Sequence, residues 1–353
     1  LIPFNKICFF PEELKEIEEI NNKVLHSKNY LNGNYNRLLE QKISEHTGWN
    51  YVLLVGNCTD ALEIILRAHT TSKFINTIGN AGKPNISAII NAGKEPVFHD
   101  VELDGLIHKT YSGDCLFTNL YGNLLDDSIL NKNTIVDSAQ HFSSYKQSKA
   151  RAVCYSFYPT KPLGALSDGG AICTDDLNLY NKCKEIAQYG GEDCNGRNSR
   201  MNEFTAAILT VRLKYYIQHD EKRKEIARFY DKFFSDNGYK NYLKSALYNI
   251  DNITTPSFNG RYSTTDNPVN KTYYNIHLYT LLIENREDTI KHLRDNNIET
   301  KIHYSFNPKI DRLVNTNLIT NHILSIPIYS DMDYTTSYYI AKTLKEIAKP
   351  IKL

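Results

Sequence analysis

Tyr51-Val52-Leu53-Leu54-Val55-Gly56-Asn57-Cys58-Thr59-Asp60-Ala61-Leu62 decides the fold class. The first residues form an apolar run, Gly56-Asn57 breaks it, and helical spacing resumes over residues 59–68. A strand, a tight turn and a helix leave backbone N–H groups free at the helix start, where a phosphate can bind. Thr59 also fits the plainer role of a helix cap.

Outward from this unit the alternation continues. Residues 87–91 read as helix, and 96–98, 115–119, 135–137, 152–157 and 170–174 as strands. Such alternation predicts an α/β fold with a largely parallel sheet. Toward the amino end, Pro11-Glu12-Glu13-Leu14 suits a first helical turn. A second helix is expected over 37–47, stopping at Gly48. A long helix begins near Asn202 and carries Phe204, Ala207, Ile208, Val211, Leu213 and Tyr216 on its apolar face. Beyond about Asn237 the texture changes. Asn, Asp, Thr and Gly cluster over 248–270, and then a strand (279–283), a helix (286–295) and a strand (299–303) describe a smaller α+β domain. The boundary falls between 235 and 250, dividing the chain into a large domain, 1–240, and a small one, 241–353.

Composition excludes several classes. In 353 residues, Lys+Arg 41 against Asp+Glu 40 gives a net charge of +1, no field for nucleic acid or an anionic membrane. Cys8, Cys58, Cys115, Cys154, Cys173, Cys183 and Cys194 are odd in number and never form a CxxC pair. That opposes a disulfide framework or a metal site and favours a reducing compartment. No apolar run is long enough for a bilayer, and Leu1-Ile2-Pro3-Phe4-Asn5 has no signal pattern. A soluble, cytoplasmic protein is expected.

Chemistry enters with Ser156-Phe157-Tyr158-Pro159-Thr160-Lys161-Pro162-Leu163-Gly164. Burying an unpaired ammonium between a strand and a Gly-containing turn is costly, unless the amine is consumed in a Schiff base to an aldehyde cofactor. Asp137, closing the strand Thr134-Ile135-Val136, offers the carboxylate that would keep a pyridinium nitrogen protonated. Lys161 and Asp137 together point to pyridoxal phosphate (PLP). Singly, each residue has an ordinary reading: Asp137 as a turn residue, Lys161 on the surface, Asn198 or Ser199 as an N-cap. Their order along the chain weighs more than any one of them.

In that order the chain resembles the DegT/DnrJ-type nucleotide-sugar aminotransferases, a branch of the fold-type-I (aspartate aminotransferase-like) PLP enzymes. The likeness covers residues 33–217, and more weakly His303-Tyr304 to Leu324-Ser325-Ile326-Pro327. It is carried by residues 55–62, Ala92-Gly93-Lys94-Glu95-Pro96-Val97-Phe98, Asp137-Ser138-Ala139-Gln140, 156–170 and 198–207. The resemblance implies that Lys161 bears the cofactor and moves the proton, and that Asp137 binds the ring nitrogen. It places Gln140 near the phenolic oxygen. The backbone of Cys58 and Thr59, with the Thr59 and Ser156 hydroxyls, would hold the phosphate. Asn198 would reach the phosphate of a neighbouring subunit, so a homodimer with shared sites is implied.

The implied reaction moves an amino group from L-glutamate to a ketone of a nucleotide-linked 6-deoxyhexose, for a glycan or secondary metabolite. The nearest branch aminates C-3 of dTDP-linked sugars; rivals are UDP- or GDP-linked 4-keto sugars and a PLP-free nucleotide-sugar binder. A sugar 3-dehydrase is disfavoured because histidine replaces the lysine in that relative. Three departures stand out. Cys58 replaces a common glycine, Gly82 stands where the family usually has a stacking aromatic ring, and 145–153 is short and basic. A helix N-terminus predicts a lowered Cys58 thiol pKa. His141 fits a structural or a substrate-facing role, and His303-Tyr304 either a packed strand end or the site mouth. Lys146, Lys149 and Arg151 fit a solvated loop or a diphosphate contact.

Overall fold

A computed structural model describes residues 1–69, 71–237 and 275–351. In chain order the first elements are α1 (Pro11–Ser27), α2 (Asn34–Thr47), β1 (Tyr51–Val55), α3 (Cys58–His69), β2 (Phe74–Ile78), α4 (Lys83–Asn91) and β3 (Glu95–His99). Then follow β4 (Cys115–Thr118), β5 (Thr134–Asp137), β6 (Ala152–Ser156), β7 (Gly170–Thr174), α5 (Leu177–Ala187) and α6 (Glu203–Asp236). The carboxyl part holds β8 (Tyr279–Leu282), α7 (Arg286–Asp295), α8 (Val314–His322), β9 (Ile323–Ile326) and α9 (Tyr334–Lys345).

The sheet runs β1-β7-β6-β5-β4-β2-β3, parallel from β6 to β3, with β7 antiparallel to both its neighbours. Alternate strand residues divide between two cores. Leu53, Val55, Leu116, Ile135, Cys154 and Ile172 pack with α3, α4 and α5. Val52, Leu54, Phe117, Val136, Tyr155 and Cys173 face the α2 and α6 side. Burial of both faces is what a parallel sheet requires. β1, β2, β4, β5 and β6 therefore end on one edge, where ligands of such sheets bind.

Local chemistry fixes the helix ends. Gly48 takes φ +75° at the end of α2 and donates its N–H to Ser44 O (2.8 Å), the expected stop. The buried Glu203 carboxylate accepts from the N–H groups of Gly33, Tyr35 and Asn36, each at 2.9 Å, and anchors α2 three residues earlier than its apolar spacing suggests. Glu13 is buried between His219 (2.7 Å) and Arg212 (3.3 Å), tying α1 to α6.

The first half of α6 joins the sheet core, and Ile226, Ala227, Tyr230 and Phe234 of its second half join a separate core with β8 and β9. The expected strand over 299–303 is absent. Only Lys301 pairs, exchanging backbone bonds with Ser325 at 3.1 and 2.8 Å, and β9 is the true partner of β8. Beyond it, His303 stays bonded to β9 through Ser325 Oγ (2.9 Å), and Tyr304 packs against the larger core. β2 and α5 were not evident from the sequence. β2 carries the polar Asn76 and Thr77, and Asn76 is satisfied by His99 Nε2 (2.8 Å) and Ser112 O (3.0 Å). The 235–250 boundary and the polar cluster over 248–270 lie wholly or largely outside the described residues.

Candidate active site

The strand ends converge on one small volume. Asp137 closes β5, Ser156 closes β6, and the turn after β1 opens α3. Asn57, not Thr59, caps that helix: its Oδ1 accepts from Asp60 N–H at 2.8 Å. The N–H groups of Cys58 and Thr59 stay at the free end. Gly170 begins β7 beneath this turn, and a Cβ there would lie 2.5 Å from Asn57 C and 2.7 Å from Cys58 N. Only glycine lets the two backbones approach so closely.

Segment 197–200 clamps the turn from outside. Ser199 Oγ accepts from Gly56 N–H (3.0 Å) and donates to Asp60 (2.7 Å). Arg197 grips buried Glu63 through two nitrogens, Nε to Oε1 at 2.9 Å. Asn198 itself faces solvent, and its side-chain oxygen accepts from Arg200 (2.7 and 3.0 Å).

Asp137 is buried and accepts from Ala139 N–H at 2.9 Å. Burial raises its pKa, against the pull of that N–H, Lys161, Asn85 and the Cys58 thiol. Asn85, at the start of α4, also donates to Thr118 Oγ1 (2.9 Å). Behind the acid, Asn119 bonds Ser138 (2.9 Å) and Gln147 (2.8 Å) and locks the strand ends. Burial lowers the Lys161 pKa, opposed by Asp137 and Cys58. A desolvated amine is more readily neutral and hence nucleophilic.

The Cys58 expectation is overturned. Its thiol is pushed well up, by burial first and then by the Asp137 charge 3.9 Å from its sulfur. Desolvation outweighs the helix dipole. His141 is a structural histidine, buried between Gly122 O (2.7 Å) and Ser143 Oγ (2.8 Å), with its pKa lowered to about 4 by burial. The basic stretch lies at the other end of the strands. Lys146 pairs with Asp175 (2.7 Å) and covers Trp49, and Arg151 pairs with Asp176 (2.5 Å).

Three contributors were not evident from the sequence: Asn85, Ser199 as a clamp and His277; Tyr304, which the sequence offered either to a strand end or to the site mouth, lies beside Gln140. His277 is buried beside Lys161 and has its pKa pushed well down, by burial and then by that lysine. The Tyr304 hydroxyl accepts from Gln140 Nε2, while Gln140 Oε1 accepts from Tyr121 N–H (2.6 Å). Beside Lys161 a cavity is lined by Lys6, Arg212, Arg223, His277 and Tyr329.

This donor set fits a pyridoxal phosphate: free N–H groups over a glycine-floored turn, a buried carboxylate and a desolvated amine share one edge. A family model for the DegT/DnrJ/EryC1/StrS aminotransferases matches residues 11–110 and 133–345. The chain belongs to that family. It is a PLP-dependent aminotransferase of the fold-type-I class.

Among its relatives, a dTDP-3-amino-3,6-dideoxy-alpha-D-galactopyranose transaminase of Aneurinibacillus thermoaerophilus is 30% identical over 83% of this chain and 82% of its own. A UDP-4-amino-4,6-dideoxy-N-acetyl-beta-L-altrosamine transaminase of Campylobacter jejuni is 25% identical over 89% of each. The pleiotropic regulatory protein of Geobacillus stearothermophilus is 26% identical over 95% of each. The aminotransferase shares its fold with S. venezuelae DesV in complex with a ketimine intermediate (TM-score 0.80, 21% identity, 98% of each chain) and with Helicobacter pylori PseC (0.80, 20%, 98% of each). Among the described residues, no helix is long and apolar enough to cross a membrane, and no His/Cys/Asp/Glu group has the makings of a metal site.

Proposed function

We propose that the protein transfers an amino group from L-glutamate to C-3 of a dTDP-linked 3-keto-6-deoxyhexose. The observation that carries it is the placement of Lys161, its pKa lowered by burial, within the electrostatic reach of buried Asp137 at the carboxyl edge, in a chain whose 30% identical relative is named for a dTDP-3-amino sugar. Bound there, pyridoxal phosphate supplies an electron sink for the carbon that loses its proton. Lys161 anchors the cofactor and carries the proton to and from the substrate carbon. Asp137 keeps the ring nitrogen protonated, and Gln140 stands near the phenolic oxygen. The N–H groups of Cys58 and Thr59 bind the phosphate with the Thr59 and Ser156 hydroxyls.

The cavity beside Lys161, where Lys6, Arg212 and Arg223 each also meet a carboxylate (Asp331, Glu13 and Asp220), supports anionic partners, a carboxylate or a diphosphate. It takes over the role that the sequence offered to Lys146, Lys149 and Arg151. Arg212 and Arg223 each bring a buried Nε without a hydrogen-bond partner in the structure. We further propose a homodimer in which Asn198 reaches the phosphate held by a second copy. Exposed Tyr158 and Leu166 flank the Lys161 segment, exposed Tyr189 lies beside Arg200, and such apolar surface suits an interface. The proposed units are 1–240 and 241–353, in a cytoplasmic enzyme.

Supplying L-glutamate with dTDP-3-keto and UDP- or GDP-4-keto sugars, and following 2-oxoglutarate, tests the substrate. Release with the 3-keto sugar is expected. Exclusive use of a 4-keto sugar overturns the position while leaving the transaminase standing. Mixing Lys161→Ala with an inactive Asn198→Ala tests the shared site: activity should return after subunit exchange, and proven exchange without recovery refutes it.

A further inference from the structure

Gly82 sits at the mouth of the site with φ +89°, in the left-handed region that favours glycine. Its open side is filled. A Cβ built there would lie 3.1 Å from Cγ and Cδ2 and 3.3 Å from Cδ1 of Tyr304, so a ring from the carboxyl part of the chain covers the glycine. The far end of that ring is fixed by Gln140 Nε2, which donates to its hydroxyl. Because the phenol oxygen accepts that bond, its own proton is free for another acceptor. Burial, and then the charge of Asp137, pushes the phenol pKa up, so the ring stays neutral.

The backbone that delivers Tyr304 is well braced. Lys301 pairs with Ser325, His303 Nδ1 bonds Ser325 Oγ at 2.9 Å, and the His303 ring packs on Phe4 at 5.3 Å. We propose that Tyr304 is the aromatic wall of the cofactor pocket, and that Gly82 is glycine to make room for it. Planar aromatic pairs and rings facing a cation both add affinity. One consequence is structural: the carboxyl part of the chain then lends a binding residue to the sheet's cofactor site. The inference rests on PLP binding at Lys161.

PLP titration of the full chain, read by absorbance and by circular dichroism of the bound cofactor, tests it. Tyr304→Leu should weaken PLP binding by about tenfold, the size of one aromatic pair, and diminish the cofactor dichroism. Tyr304→Phe should bind within about threefold of the parent and keep that signal, since it retains the ring. Gly82→Ala leaves the tyrosine in the sequence but crowds it, and should weaken binding by several-fold, roughly, without loss of helix signal. Parental affinity and dichroism in Tyr304→Leu, with Gly82→Ala also unaffected, would overturn the wall. So would Tyr304→Phe losing as much as Tyr304→Leu, which assigns the effect to the hydroxyl. A parent chain that binds no PLP fails at an earlier step and removes the proposed function as well.

Discussion

Lys146 and Lys161 stand at opposite ends of the same sheet and meet opposite electrostatic conditions. Lys146, just before β6, reaches Asp175 at 2.7 Å, lies over the Trp49 ring and remains in contact with water. Lys161, just after β6, has no carboxylate in contact among the described residues and is half-buried, and burial lowers its pKa against the pull of Asp137. A paired lysine in contact with water fits a surface ion pair. Lys161, its pKa lowered by burial near a buried carboxylate and the open start of α3, is the candidate for reaction. The difference between these ends supports placing the proposed chemistry away from the basic stretch, where charge counting alone would have put it.

Lys161→Ala should break the reactive end outright. Turnover is expected to fall by at least about 10³-fold, as for loss of a general acid–base, while binding of pyridoxamine phosphate persists. Near-parental transamination would refute the assignment. Asp137→Asn keeps the shape but removes the charge opposite the ring nitrogen, and activity should drop by roughly 10²-fold with the melting temperature little changed. Activity within a few-fold of the parent would make Asp137 a structural acid.

Much of this site was legible because its parts are local. Asp137, Ser156, Lys161 and the turn at Gly56-Asn57 each lie within a few residues of a strand end, and strand-to-turn breaks are visible in sequence. Most of the large sheet, the carboxyl end of α2 and both ends of α7 were legible for the same reason. The partners of Tyr304 and Ser199 were not, because those contacts span long separations: Tyr304 meets Gln140, and Ser199 meets Gly56. The missing strand at 299–303 has a related cause. Its residues alternate plausibly, yet the position beside β8 goes to β9, and Lys301 alone keeps a pairing. Cys58 misled because the helix dipole is readable from sequence whereas complete burial is not.

Ser199→Ala sharpens the comparison by loosening the turn without touching charge. It strands the part-buried Gly56 N–H and one Asp60 oxygen, at a cost of about 1 kcal/mol in denaturant unfolding and a measurable fall in PLP affinity. Unchanged stability would mean the clamp is incidental. The reactive end should also carry a pH signature. Burial holds His141 and His303 neutral, with pKa values lowered to about 4 from an ordinary 6.5. Below pH 6.5 the unfolded chain takes up these protons first, so their contribution to stability is full above that pH. It is lost as pH falls from 6.5 toward 4. A denaturation midpoint flat across that window would contradict their burial.

Lys146→Ala should do least. Turnover is expected within about twofold of the parent, and stability should fall by no more than about 1 kcal/mol, the scale of a surface pair. A large loss of activity would return the basic stretch to the site.

The most direct measurement is borohydride reduction of the PLP-loaded protein followed by peptide mapping. The cofactor should become fixed to the peptide containing Lys161, and to no other. Label on the peptide containing Lys146, or a colourless protein that retains none, would contradict the placement of the reaction at the carboxyl edge.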